Sequence, residues 1–320
     1  MIQKIDIEKI SKLSAPWPQE IKEALSYYSF EELDKVLKIH PGHHLYVTWK
    51  SLESLLGIFS ISAEETISGF DDFQMKAQNP DFFSRPNTQE FKRNCLQVNK
   101  NLYHLSSLFV AIYNVTQKFR GHFYSDRYKN LYESCYTNSE EHHLIKAVRN
   151  ALSHHHFSTA NYSVKVQGTK KDTAFYIYTK DLLENGNLKD HDKDHIRKYN
   201  KLDVRKIFDL QINKITEFYN SLENELANDV RYSDYIECKM SPKRNATRTW
   251  WTILITQIIA KNLDPYNYLD NHFNNEELLE ITKLPHRSKE QIDRMIKIYD
   301  ETQACDEAMR EKIYKFFGAK

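Results

Sequence analysis

Between positions 88 and 120, the apolar residues Phe91, Cys95, Val98, Leu102, Leu105, Phe109, Ile112 and Phe119 recur at steps of three and four, with Thr116 as the one break. A stripe of that length is the signature of a long amphipathic helix that needs partner helices along most of its face, which points to a helical bundle. Only 7 glycines and 8 prolines in 320 residues agree with long helices and disfavour a turn-rich sheet protein. Disorder is disfavoured as well, because 40% hydrophobic and 13% aromatic residues supply a core.

Other elements are written more locally. The segments SFEE (29–32), SAEE (62–65) and SKEQ (288–291) each carry serine three residues before Glu or Gln, the spacing of a capping box, and predict helices over about 30–39, 63–69 and 289–316. A further helix is expected from Ser139, with Glu140 and Glu141 at its positive end and Leu144, Val148, Ala151 and Leu152 as its buried stripe. YSVKV and AFYIY, separated by QGTKKD, read as a β-hairpin over about 162–178. The polar stretch LLENGNLKDHDKDH reads as a loop, and a helix resumes from Leu202 to about Asn228. The expected class is all-α, a helical bundle with one inserted hairpin and additional C-terminal helices. MSPKRNATR is the best boundary candidate, so the expected division is 1–84, 85–235 and 241–320.

Composition excludes some functions. With 45 basic and 44 acidic residues the chain has no global basic excess, so any nucleic-acid site must be local. Cys95, Cys135, Cys238 and Cys305 form no CxxC pair, which indicates neither a zinc site nor a disulfide framework. No apolar segment is long enough to span a bilayer, and the expected location is the cytoplasm.

The stretch AVRNALSHHHF (147–157) concentrates the functional signal. With 13 arginines and 14 histidines, an Arg followed five to seven places later by His arises roughly 1.7 times by chance. Requiring Asn, Asp or His directly after the Arg, and His at the fifth place, lowers that expectation to roughly 0.1, and Arg149, Asn150 and His154 satisfy it. On a helix, Asn150 and His154 share a face one turn apart, while Arg149 sits about 140° from His154. His155 falls on the buried face if the helix continues, and His156 lies near the azimuth of Arg149.

RNALSH resembles the R-[N/D/H]-x-x-x-H signature of the HEPN superfamily, and the helices around it resemble that family's bundle. The resemblance covers residues of about 85–230. It implies a HEPN-type bundle and a metal-independent endoribonuclease, of the kind found among toxins and abortive-infection or phage-defence effectors. Such proteins act as homodimers with two motifs in one cleft, and activity is held back by an antitoxin, inhibitor or trigger. Carried over by position, Arg149 and His154 match the catalytic pair and Asn150 the polar residue that orients them. His155 and His156 fit the looser spacing the family tolerates. No cofactor is implied.

The residue types suit that chemistry. A histidine can take the 2′-hydroxyl proton, and an arginine can hold the phosphorane oxygens in its fork. Candidate phosphate contacts are Lys165, Lys170, Lys171, Arg205 and Lys206, with Arg244 and Arg248 beside Trp250 and Trp251. RNA, tRNA or mRNA among others, is the expected partner.

Three other readings stand beside it. Arg149 could pair with Glu140 or Glu141 while the histidines cap a helix end. A metal could be held by His142 and His143, by His154, His155 and His156, or by His40, His43 and His44, although no HExxH spacing supports this. The same bundle could bind a nucleotide, RNA or a protein without catalysis.

Overall fold

A computed structural model describes residues 6–123, 125–154, 161–167, 170–185, 188, 190–300 and 302–319. It includes their side chains except at 151–154, 161, 165–167, 170–172, 185, 191, 258 and 259. In chain order the elements are α1 (Ile7–Ile10), α2 (Gln19–Leu25), α3 (Phe30–Leu37), α4 (His43–Ala77), α5 (Thr88–Thr116), α6 (Asp126–Tyr132) and α7 (Glu140–His154). Then follow β1 (Asn161–Gln167), β2 (Lys170–Tyr178), α8 (Thr179–Asn185), α9 (Asp190–Ile196), β3 (Lys201–Asp203), α10 (Val204–Asn228), α11 (Val230–Ala260), α12 (Asn275–Thr282), α13 (Lys289–Tyr299) and α14 (Glu307–Phe317). The chain is mostly helical with a small antiparallel sheet inserted mid-chain, as its class was expected to be.

Two compact units share the chain: His44–Asp229 is continuous, whereas Met1–His43 and Val230–Lys320 together form the other. In the continuous unit the predicted stripe of α5 is buried at Val98, Leu102, Leu105, Phe109 and Ile112, with Phe119 following in a short 3₁₀ turn. Thr116, the break in the stripe, is fully buried too. Its hydroxyl donates to the Ile112 carbonyl at 2.8 Å and meets the Tyr219 hydroxyl, which lies 2.8 Å from that of Tyr136. A polar residue interrupts the pattern there because a three-hydroxyl network replaces apolar packing.

The sheet has the order β1-β2-β3, and Asn161 pairs with Tyr176 while Tyr176 pairs with Asp203. It docks through rings: Phe175 of β2 meets Phe70 and Phe73 of α4, and Tyr162 of β1 meets Phe73 and Phe91. Such edge-on aromatic contacts favour one orientation beyond the area they bury.

Several expectations are corrected. The helix expected over 63–69 is the middle of α4, because Ser62 is buried inside it, and its carbonyl accepts the Thr66 hydroxyl at 2.7 Å. The loop expected over 182–195 contains most of α8 and most of α9. A third strand, β3, precedes α10, whose first turn is capped by Asp203 accepting from the Lys206 amide at 3.1 Å. The helix expected over 289–316 is two, α13 and α14, because Asp300 terminates the first and accepts from the amides of Ala304 and Cys305. MSPKRNATR interrupts nothing: α11 passes straight through it with Pro242 inside.

The discontinuous unit is built on α11. Asp234 accepts from the Trp17 amide at 2.7 Å, meets His40 Nε2 at 3.0 Å and pairs with Lys22 at 2.7 Å. Gly42 has no room for a side chain, since a Cβ there would stand 2.0 Å from the Arg231 carbonyl oxygen. Trp251 lies in a second cluster with Phe273, Ile292, Met295, Ile313 and Phe317.

Candidate active site on helix α7

The helix that carries the motif begins where the capping signals place it. The Ser139 hydroxyl accepts from the His142 amide at 3.2 Å and donates to Gln211 Oε1 at 2.9 Å, while Gln211 donates to the Cys135 carbonyl at 2.9 Å. Lys214 of α10 reaches Glu141 at 2.5 Å. The N-terminus of α7 is therefore stapled to α10 by a buried network as well as by its own cap.

Leu144 and Val148 are buried, as expected, but so are Ile145 and Ala147, because α5, α8, α9 and α10 all pack on this helix. His142 and His143 are buried with them. His142 lies between the rings of Tyr113 and Tyr136, at centroid distances of 4.7 and 5.2 Å. Burial pushes its pKa down to about 3, so it is neutral in the folded chain.

Arg149 and Asn150 are both half-buried on the last turns of α7, and the guanidinium Nη1 donates to Asn150 Oδ1 at 3.2 Å. Position 154 closes the helix one turn beyond Asn150. The His154 side chain, and His155 and His156 altogether, lie outside the described residues.

Glu140 and Glu141 are engaged away from Arg149. Glu140 takes Lys198 at 3.0 Å and the Tyr199 hydroxyl at 2.9 Å, and Glu141 takes Lys214. Eight residues of helix also put about 12 Å between Glu141 and Arg149 along the axis. Burial favours protonation of both acids, but their lysine partners outweigh it and hold their pKa values below the usual carboxylate range.

The same helix carries a cluster that sequence reading missed. Asp192 of α9, itself buried, meets His143 Nδ1 at 2.8 Å and Lys146 Nζ at 3.3 Å. His143 Nε2 lies 3.2 Å from the Thr137 carbonyl, so both ring nitrogens face acceptors. The His195 ring stacks on His143 with centroids 4.8 Å apart. Burial works against the Asp192 charge, yet the His143 bond and the Lys146 ammonium lower its pKa. HDKDH was the available signal, but His143 and Asp192 are 49 positions apart in sequence.

The expected phosphate contacts fare unevenly. Arg205 pairs with Asp71 at 2.7 Å and lies beside a cavity of about 620 Å³ lined also by Phe70, Met75 and Phe175. Lys206 borders a cavity of about 340 Å³ with Glu140, Glu141, Leu144 and Leu210. The side chains of Lys165, Lys170 and Lys171 lie outside the described residues, although their backbones pair across β1 and β2. Arg244 and Arg248 belong to the discontinuous unit, where Arg244 Nε donates to the Thr302 carbonyl at 2.9 Å and Arg248 pairs with Asp306 at 2.6 Å. Trp251 is core, and Trp250 stacks on Tyr299 at 4.0 Å.

Among the described residues, the group with metal-ligand chemistry is His40, Asp234 and Cys238, all buried. It fits a metal poorly. The Gly42 amide donates to His40 Nδ1 at 2.9 Å, which leaves the proton on Nε2, the nitrogen that faces Asp234. Lys22 already neutralises the carboxylate, and burial pushes the Cys238 thiol up to about 12, away from the thiolate that a metal needs. His142 and His143 are committed to the ring and carboxylate contacts described above.

Comparison with known proteins finds no matching family model, no matching curated protein and no matching solved structure. No helix among the described residues is long and apolar enough to cross a membrane.

Proposed function

We propose that the protein is a HEPN-type endoribonuclease that cleaves RNA without a metal, works as a homodimer, and serves as a toxin or anti-phage effector restrained by an antitoxin, inhibitor or trigger. The observation that carries this reading is the Arg149–Asn150 pair, held at 3.2 Å on a helix whose final position is His154. Arg149 binds the scissile phosphate and stabilises the charge that builds on the phosphorane. Asn150 fixes the guanidinium from one side. His154 takes the 2′-hydroxyl proton, the bond from the 2′-oxygen to phosphorus forms as the bond to the 5′-oxygen breaks, and that oxygen takes a proton from water, which leaves a 2′,3′-cyclic phosphate and a 5′-hydroxyl.

The engagement of Glu140 and Glu141 by lysines elsewhere weighs against a purely structural ion pair within α7. Purified protein is expected to generate 5′-hydroxyl ends on RNA in the presence of EDTA. Arg149→Ala and His154→Ala are each expected to abolish this. Wild-type rates in both variants would sink the assignment. RNA binding with no new ends at any protein concentration would instead leave a non-catalytic binding module.

A further inference from the structure

Helices α5 and α7 pack on one another and run antiparallel. Tyr113 of α5 meets His142 near the start of α7, with ring centroids 4.7 Å apart, whereas Phe91 near the start of α5 meets Tyr162 of β1, beyond the end of α7. On a helix, position 149 lies about 20° from the azimuth of 142 and about 10 Å further along, so Arg149 is on the side of α7 that His142 turns to α5. The same seven residues counted back from Tyr113 bring Arg149 level with Ser106, about one turn from Tyr103.

The solvent side of α5 leading to that level is basic. Positions 92, 93, 96, 100 and 103 fall within an arc of about 100° on the side opposite the buried stripe of Val98, Leu102, Leu105, Phe109 and Ile112. Lys92, Arg93, Leu96, Lys100 and Tyr103 are all exposed, Leu96 at 66% and Tyr103 at 46%. Glu90, the one acid of α5, lies off this arc and turns toward Lys76 of α4 at 4.0 Å. Three cations on one face thus stand out in a chain whose net charge is +1. Arg205 and Arg248, by contrast, are paired with Asp71 and Asp306.

A single strand of nucleic acid fits this face better than an acidic protein does. The three charges meet phosphates along about 16 Å of helix. Leu96 and Tyr103, set among them, offer an apolar surface and a ring to unpaired bases, which a carboxylate-rich surface would not use.

We propose that this face of α5 is the track that lays single-stranded RNA toward the motif, with Lys92, Arg93 and Lys100 on phosphates and Tyr103 stacking a base one turn from the level of Arg149. That the bound strand is then cut rests on the ribonuclease reading, whereas the binding does not.

The test separates the two. Binding to the full chain is followed by fluorescence anisotropy of a labelled 2′-O-methyl RNA of about 12 nucleotides, which lacks a free 2′-hydroxyl and stays intact. The triple variant Lys92→Ala, Arg93→Ala, Lys100→Ala is expected to bind about tenfold or more weakly and to lose about 2 from the slope of log K against log salt, at about 0.7 for each phosphate contact. Lys100→Gln alone is expected to lose about 0.7 and supplies the test if the triple variant fails to fold. Tyr103→Ala is expected to weaken binding about tenfold with the slope unchanged, the mark of stacking. Wild-type affinity and slope in these variants overturn the track. So does a wild-type chain that binds no strand, or equal competition by an RNA duplex or by poly-glutamate, the last being the result for an acidic protein partner.

With unmodified RNA, the triple variant is expected to raise the KM of cleavage. Cleavage at wild-type KM overturns the track and leaves the ribonuclease. Weakened binding in a protein whose wild type never cuts leaves the track standing and removes the ribonuclease reading.

Discussion

Arg149 and Asn150 are consecutive on α7, and yet their side chains meet, with Nη1 donating to Oδ1 at 3.2 Å. Neighbouring positions on a helix point about 100° apart, so this contact requires the arginine to bend back across the helix surface. Asn150 thereby fixes one side of the guanidinium and leaves the rest of the fork directed by what else it meets.

Asn150→Ala is expected to lower RNA cleavage about 10²-fold, the cost of misplacing a catalytic group by about an ångström. The melting temperature should stay close to wild type, because Asn150 is only half-buried. Steady-state cleavage together with thermal unfolding checks this, and a large loss of stability would make the residue structural instead.

His142 gives an acid sensitivity with a definite sign. Its pKa falls from 6.5 to about 3 on burial, so between those values the unfolded chain binds a proton that the folded chain does not. Its stabilising contribution is thus complete above the unfolded value and declines as pH drops, by roughly 2 kcal/mol at pH 5. His142→Phe keeps the ring between Tyr113 and Tyr136 and is expected to flatten that part of the profile. Urea unfolding at pH 7 and pH 5 measures it, and equal pH dependence in the two proteins would refute the assignment.

Tyr219→Phe is expected to cost about 1–3 kcal/mol, since it removes the hydroxyl shared by Thr116 and Tyr136 in a fully buried place. Chemical denaturation should show a lower midpoint with an unchanged slope. Thr116→Val is expected to be cheaper than the tyrosine change, because a branched apolar side chain restores the interrupted stripe of α5.

Gly42→Ala is expected to destabilise by more than about 3 kcal/mol. The added methyl would meet the Arg231 carbonyl at 2.0 Å and Tyr235 Cβ at 2.8 Å, and a backbone oxygen cannot swing aside as a side chain would. Thermal unfolding tests it, and a shift of a degree or two would show that the α3–α4 turn can move.

The long elements were legible because their signals are periodic and local. The α5 stripe, the α7 start at Ser139 and the β1–β2 hairpin all emerge from spacings of a few residues. The missed elements are those held by tertiary contact. Ser62 imitates a cap but is buried mid-helix, α8 and α9 are seven-residue helices rich in Asn, Asp and Lys, and β3 has only three residues.

Within the candidate site, Arg149 with Asn150 could be read from adjacency. The Asp192 contact to His143 and Lys146 could not, since no local pattern links positions 49 apart. Likewise, no spacing reveals that Arg205 is drawn to Asp71 or Arg248 to Asp306.

The division of the chain has a consequence for its synthesis. Every residue of His44–Asp229 is made before Asp234, which His40 and Trp17 require as a partner. The motif-bearing bundle can therefore complete its core while the first 43 residues still wait for the last 91. The cap of α7, its packing against α5 and α10 and the Arg149–Asn150 contact all lie inside that continuous segment, so none of them depends on when the discontinuous unit closes.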